Sequence, residues 1–386
     1  MIRVGFVNVF AVREWLGGLN YLRNLLQAVT ELDGRRIEPV LFTGADPTIA
    51  AEFSFMPVVH TRVLDRGHPL WLLRKALQRG LGSDPLLEKV LSAHGISMLS
   101  HSGDLGHGAG IPAIGWVPDL QHRHLRRLFS DEQIALREAQ IAQALGACVR
   151  LIVSSETAAQ DLRAGNPKHA ARIRVLRFAS GLGHDGALPQ RRELEARYGI
   201  EGAYMHLPNQ FWAHKNHEVV VEALRRLKDS GYPVTVIATG LMDDPRQPQH
   251  VEILMRRVRE HGIDELFRPL GVVPYRDMLG LMRHAVAVIN PSRFEGWSTS
   301  VEEARSMGKT IVLSAIPAHR EQAPARGIFF ETENAEDAAR AIREALSGFD
   351  PAADEASVSR AAAELPGRMR QFAESYQNIV LEAAHA

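Results

Sequence analysis

Ala285-Val286-Ala287-Val288-Ile289-Asn290-Pro291-Ser292-Arg293-Phe294-Glu295-Gly296-Trp297-Ser298-Thr299-Ser300-Val301-Glu302-Glu303-Ala304 is the passage that decides the fold. It opens with an unbroken apolar run, turns at Gly296 and continues with helical spacing. A strand apolar on every residue is covered on both faces, as in a parallel sheet. A short loop carrying such a strand into a helix is half of a βαβ unit. Thr299 with Glu302, or Ser300 with Glu303, has capping-box spacing, and the free N–H groups of a helix start make an anion site. Glu295 and Glu303, eight positions apart, flank it.

Carboxylates beside a bound phosphate are repelled by it unless they accept hydrogen bonds from hydroxyls, of the kind that ribose and hexose supply. The alternative is that both glutamates are capping or solvated residues, and the pattern alone does not decide between the two. A second strand exit raises the same question. Leu207-Pro208-Asn209-Gln210-Phe211-Trp212-Ala213-His214-Lys215-Asn216-His217 leads into a helix ending near Ser230, with Lys215 at its start. The helix dipole favours acids there, so Lys215 calls for an anionic partner; the alternative is a solvated surface lysine.

Outward from these passages, apolar runs alternate with helical segments along the whole chain. The first series is Val4 to Val9, Val40 to Phe42, Ile111 to Val117 and Leu151 to Val153. The second is Ala203 to Leu207, Val234 to Ala238, Ala285 to Ile289, Thr310 to Leu313 and Ile328 to Phe330. With 386 residues, two cores are expected. The glycine-rich, apolar-poor stretch from Ala179 to Gln190 is the expected linker. The expected organisation is an N-terminal domain over 1–185 and a second domain over 186–365. Residues 366–386 then form an amphipathic helix with Phe372, Tyr376, Ile379 and Val380 on one stripe, packing back toward the N-terminal domain. The expected class is α/β, two Rossmann-like doubly wound domains facing each other across a cleft.

Lys plus Arg equals Asp plus Glu at 45 each, so no global field recruits nucleic acid. The single cysteine, Cys148, excludes an intramolecular disulfide and a thiolate metal cluster. The N-terminus reads as a first strand, too short for a secretory h-region, and no later stretch reaches spanning length without a charge. A cytoplasmic protein, at most peripheral on the inner membrane face, is expected. His68 to Arg79, with Trp71, Leu72, Leu73, Arg74 and Lys75, forms either a basic amphipathic helix suited to an anionic membrane or a core-facing Leu stripe with a solvated basic face.

The second half resembles the retaining nucleotide-sugar glycosyltransferases of family 4 (group 1 glycosyltransferases), which have the GT-B fold. The resemblance spans most of 200–320. It rests on the E-x7-E element at Glu295 and Glu303, the loop ending at Lys215, and the Gly271-Val272-Val273-Pro274 turn, in that order. It implies that Glu295 holds sugar hydroxyls, Glu303 the ribose, Lys215 the diphosphate and the Gly271, Val272 and Val273 backbone the base. The resemblance also implies that Trp297, Ser298 and Thr299 offer backbone amides to the donor, with Gly296 among the donor-binding residues. Family members often carry an arginine five residues before the lysine; here Gln210 stands there.

The N-terminal half is less specific. Gly17-Gly18 follows the first strand and opens a helix at Leu19, like the family's glycine loop, or is a mere tight turn. It lacks the dinucleotide-binding glycine spacing. Asp119, in Trp116-Val117-Pro118-Asp119, stands where the family places a cleft-lining acidic or histidine residue; His122 follows it. Both are candidate catalytic groups, with a paired structural aspartate and a solvated basic loop as the alternative. His122 and His124 lack a third ligand, so no metal is expected. His101 and His107 bracket a glycine-rich strand exit that lines the acceptor side or simply turns.

The expected activity is transfer of a sugar from a nucleotide-diphosphate donor to a glycan or lipid-linked acceptor, with retention of configuration and without metal or cofactor. Lys215, Glu295, Asp119 and His122 are its candidate catalytic residues. Its rivals are a non-catalytic sugar-nucleotide or polysaccharide binding protein and a sugar-nucleotide epimerase.

Overall fold

A computed structural model describes residues 1–7, 16–103, 105–106, 108–182 and 187–386. The chain divides into two compact units. One comprises Met1–Leu120, Asp131–Phe178 and Gly367–Ala386, and the other Gln121–Ser130 and Ala179–Pro366. The expected boundary at 185/186 falls outside the described residues, as do Asn8 and Val9 of the expected first strand and the loop residue His107.

The first unit carries β1 (Ile2–Val7), β2 (Ile37–Thr43), β3 (Val58–His60), β4 (Met98–Ser100), β5 (Ala113–Val117), β6 (Arg150–Val153) and β7 (Ile173–Val175). They form one sheet in the order β3-β2-β1-β4-β5-β6-β7, parallel throughout. The second unit carries β8 (Tyr204–Pro208), β9 (Thr235–Thr239), β10 (Phe267–Gly271), β11 (Val288–Asn290), β12 (Ile311–Ser314) and β13 (Gly327–Phe330). Their order is β10-β9-β8-β11-β12-β13, again parallel. Both sheets are therefore doubly wound, and each reverses winding once: between β1 and β4 in the first, and between β8 and β11 in the second. Ligands of open α/β sheets sit at the carboxyl ends of the strands flanking that reversal.

Central strands are buried on both faces, as the unbroken apolar runs require: β12 is buried at all four residues and β2 at six of seven. β10 is the exception in composition. Its sequence, Phe-Arg-Pro-Leu-Gly, suits the edge position it takes, where Pro269 removes no needed ladder bond.

The last helix, Pro351–Ala383, runs unbroken through Pro366, where it passes from the second unit into the first. Its terminal part buries Phe372, Tyr376 and Val380. Tyr376 lies 6.1 Å from Phe6 and 5.8 Å from His101 between ring centroids, and Phe372 lies 6.2 Å from Tyr21. Its initial part anchors the strand that follows the Glu303 helix. Buried Lys309 donates to Asp354 Oδ2 at 2.5 Å, and Arg326 donates to Asp354 Oδ1 at 2.9 Å. Gly308 makes this approach possible: its φ of +67° is one that side chains rarely adopt, and a Cβ there would lie 2.3 Å from the Ser357 carbonyl oxygen.

Removing one partner of a buried ion pair strands the other charge. Asp354→Ala is expected to cost about 3–5 kcal/mol in urea denaturation. The double change Lys309→Met, Asp354→Leu should recover most of that loss.

Candidate functional site

The two passages singled out in the sequence leave β8 and β11, the strands on either side of the second sheet's reversal. After β8 the chain reaches a 3-10 turn, Ala213–Lys215, and then Asn216 in the left-handed region at φ 57° before the helix His217–Asp229. Lys215 thus precedes the helix rather than opening it. The loop is pressed against the exit of β9, where Gly240, at φ +146°, brings its backbone so close that a Cβ would lie 2.5 Å from the Asn209 carbonyl oxygen. Any larger residue at 240 would push the lysine loop away.

Lys215 Nζ donates to Glu295 Oε1 at 2.6 Å, and both side chains are largely buried. The anionic partner that Lys215 calls for is therefore present within the unit. Ser292 Oγ lies 2.6 Å from the same Glu295 oxygen and 2.8 Å from Asn290 Oδ1. Asn290 Nδ2 in turn donates to Ser298 Oγ at 2.8 Å and Ser300 Oγ at 3.0 Å. One asparagine at the end of β11 thereby holds both limbs of the loop. Burial pushes the Glu295 carboxyl up, but the charge of Lys215, the neighbourhood of His319 and the bonds from Lys215 and Ser292 bring it below the usual carboxylate value. Burial also lowers His319 to about 4, so its ring is neutral near pH 7.

The helix Thr299–Ser306 is capped by Ser298, whose Oγ accepts from the Val301 amide. Neither expected capping box forms, because the third helical position is Val301 and not a glutamate. Glu302 and Glu303 are consequently free of capping and turn inward. Glu302 accepts from Gln322 Nε2 at 3.1 Å, and Gln322 Oε1 takes the Ser298 amide at 3.2 Å. That amide, expected to face a ligand, is thus already engaged. Glu303 Oε1 accepts from the Tyr275 hydroxyl at 2.8 Å. Tyr275 opens the helix Tyr275–His284 directly after the Gly271-Val272-Val273-Pro274 turn, so one phenol links that turn to Glu303. Gly271 sits at φ +70° with open space where a Cβ would stand, Val272 is exposed, and the Gly271 carbonyl accepts from the Gly240 amide at 2.9 Å.

On the loop after β8, Asn209 Nδ2, Gln210 Oε1, Trp212 Nε1 and Asn216 Oδ1 are buried without a hydrogen-bond partner among the described residues, as is His319 Nε2 near Glu295. Buried polar groups are ordinarily satisfied, so such a group of atoms at a strand exit is where the polar atoms of a ligand would find partners. The segment Gln121–Ser130 packs on the same loops. Arg246 lies over the rings of Phe129 and Trp212, at 5.0 and 5.4 Å, and donates to Gln121 Oε1 at 2.6 Å and His214 Nδ1 at 3.2 Å. His124 stacks on Phe294 at 4.9 Å. His122 is fully buried, edge-on to Phe129.

The remaining candidates lie in the first unit. Gly17 and Gly18 are inside the first turn of the helix Leu16–Thr30 rather than in a loop ahead of Leu19. Asp119 pairs with Arg137 at 3.3 Å on a half-exposed surface. His101 follows β4 at φ 60° and bonds Tyr21 Oη and Ser100 Oγ, both at 2.8 Å; burial lowers it to about 3. With both nitrogens engaged, it is a packed structural histidine. Sequence reading missed Asn290, Ser292, Tyr275, Gln322 and Arg246. Only Asn290 and Ser292 carried a local signal, as polar residues closing an apolar strand.

Residues 201–361 match the family of glycosyl transferases group 1. That match runs from just before β8 into the last helix, and it contains the Lys215 loop, the Gly271 turn and both glutamates. Among solved structures, the chain is similar to Anabaena HepE in complex with UDP-glucose, with 16% identity and a TM-score of 0.69 over 100% of both chains. It is similar to a glycosyltransferase from Rickettsia africae ESF-5, with 16% identity and a TM-score of 0.68 over 98% of each chain. Sucrose-phosphate synthase from Thermosynechococcus elongatus shares 16% identity and a TM-score of 0.65, over 99% of this chain and 97% of that one. No curated protein sequence matches. The two doubly wound units have the GT-B fold.

Burial raises the Glu303 carboxyl to about 7, although the Tyr275 bond opposes the shift. The native state therefore holds this proton more tightly than the unfolded chain does. The stability this group contributes is full below about 4.5 and is lost as pH rises through about 7. Glu303→Gln cannot ionise. Its denaturation midpoint should match wild type at the acid end of that window and exceed it at the alkaline end.

Proposed function

We propose that the protein is a retaining, metal-independent glycosyltransferase using a nucleoside-diphosphate sugar. The observation that carries this reading is the Lys215–Glu295 pair at the sheet reversal, beside a second buried carboxylate, Glu303, held by a phenol. An ammonium suits the diphosphate. A carboxylate already bound to that ammonium suits sugar hydroxyls, and Glu303 suits the ribose hydroxyls, with the 271–273 turn for the base. The family matched by residues 201–361 agrees with this assignment. Since HepE was solved with UDP-glucose, uridine is the first base to test.

In the reaction, the anomeric C–O bond to the diphosphate breaks as the acceptor hydroxyl oxygen bonds to that carbon from the same face. The hydroxyl proton passes to the leaving phosphate oxygen. Negative charge grows on the diphosphate, so preorganised donors there supply the largest catalytic effect. Gln210 is neutral, so that charge falls to Lys215 and to the start of the helix Thr299–Ser306, where the Thr299 amide remains. Asp119 and His122 are assigned to the acceptor side, and Gly17 and Gly18 to the backbone near the donor phosphate. The acceptor is a glycan or a lipid-linked saccharide.

Calorimetric titration with UDP, GDP and ADP, without divalent metal, tests the donor site. One nucleotide should bind selectively, and both Lys215→Ala and Glu303→Gln should weaken it; Lys215→Ala should also lower turnover by about two to three orders of magnitude. If no nucleotide binds, the assignment falls, and binding without nucleotide release under any acceptor would favour a binding protein. Proton NMR of the first product should show the donor's anomeric configuration, and inversion would refute same-face attack.

A further inference from the structure

The strand exits that carry Lys215 and Glu295 also wall a cavity. It encloses about 300 Å³ within the second unit, between the segment Gln121–Ser130 and the starts of the helices His217–Asp229 and His250–Glu260. Ala213 and Arg293 line it, each two residues ahead of a member of the ion pair. Ligand pockets span roughly 300–1,000 Å³, so the occupant of this one is small.

The polar side chains of the wall are committed to different degrees. Arg293 is fully engaged: Nε and Nη2 donate to the two Glu333 carboxylate oxygens at 2.7 and 3.2 Å, and Nη1 donates to the Ala213 carbonyl at 2.6 Å. Glu218 is not. Its Oε2 takes one long bond from Arg293, at 3.4 Å, and its Oε1 stands 3.8 Å from His250 Nδ1, beyond hydrogen-bond reach. His250 is 8% exposed, and its Nε2 is buried with no partner among the described residues. Burial lowers the His250 pKa against the pull of Glu218 and Asp244, so the ring is neutral near pH 7 and has one donor and one acceptor. At the exposed rim, Gln249 precedes its helix without capping it, and neither Gln249 nor Gln247 has a side-chain hydrogen bond among the described residues.

Three classes of occupant fail against this wall. An anion would face the Glu218 carboxylate, whose guanidinium partner is already shared with Glu333. A cation would face Arg293 and the exposed Arg127, which has no ion pair among the described residues. An apolar ligand would leave Glu218 Oε1 and the buried His250 Nε2 unbonded. A hydroxyl both donates and accepts, so it satisfies carboxylate, imidazole and amide alike. Leu128, Ile253 and Ala213 add apolar patches on which the C–H groups of a ring can lie. We propose that this cavity binds a neutral saccharide unit, with Glu218 and His250 meeting its hydroxyls and Gln247 and Gln249 bonding it at the rim. The proposal uses neither Lys215, Glu295 nor Glu303, so it stands or falls apart from the donor-site reading.

Saturation-transfer NMR on the full chain without nucleotide tests it, with the methyl α-glycosides of glucose, galactose and mannose and with methyl glucuronide as probes. At least one neutral glycoside should receive saturation. Gln247→Ala with Gln249→Ala should weaken its binding about tenfold and leave the thermal melt unchanged, because both positions are exposed. Ile253→Trp, which fills the cavity, should abolish binding. Calorimetry with UDP reports the donor site separately, and the glutamine variant should match wild type there. The proposal is overturned if no neutral glycoside receives saturation, if only the glucuronide does, or if the glutamine variant binds the glycoside as wild type does. It is equally overturned if UDP displaces the glycoside or UDP affinity falls in the glutamine variant, since the sugar would then lie in the donor site.

Discussion

The ion pair between Lys215 and Glu295 joins two strand exits that are 80 residues apart in sequence, and the candidate site of the second unit is arranged around it. Neither charge is well hydrated, so each requires the other. Their meeting depends on β8 and β11 being neighbours, which follows from the single reversal in strand order. The same reversal leaves the carboxyl ends of those two strands without a crossover helix above them, which is why polar side chains can converge there.

Around the pair, small polar residues do the positioning. Asn290, Ser292, Ser298, Ser300 and Gln322 form a connected set that closes the loop, engages the Ser298 amide and leaves Glu295 accepting two bonds. A loop held this way presents its carboxylates with little reorganisation, the condition under which electrostatic stabilisation is most effective. Asn209 Nδ2, Gln210 Oε1 and His319 Nε2 remain without hydrogen-bond partners near that set. Glu303 differs from Glu295 because its nearest partner is a neutral phenol and not a cation. Two glutamates on one loop-and-helix passage are thereby set on opposite sides of the usual carboxylate value.

The two units use buried charge in different ways. In the second, Asp354 takes Lys309 and Arg326 and fixes the long helix to the strand after the Glu303 helix. In the first, Asp84 takes Arg74 from the helix Pro69–Leu81 and caps the helix Pro85–Ala93, which ties two helices of that unit together.

From the amino-acid sequence alone, the α/β class, most central strands and both functional passages could be read. Those features rest on local periodicity and on residue chemistry at strand exits, which singled out Glu295, Glu303 and Lys215 as candidates; the Gly271 turn entered only through the family resemblance. The three-residue strands β3, β4 and β7 were too short to show a period, and β10 was concealed by Arg268 and Pro269. The choice of Ser298 as cap, the partnership of Tyr275 with Glu303 and the inward turn of Arg74 were settled only in three dimensions. Each is a contest between alternative partners for a buried polar group. Its outcome is set by which distant residue the fold brings within hydrogen-bond reach, and spacing along the chain carries no record of that.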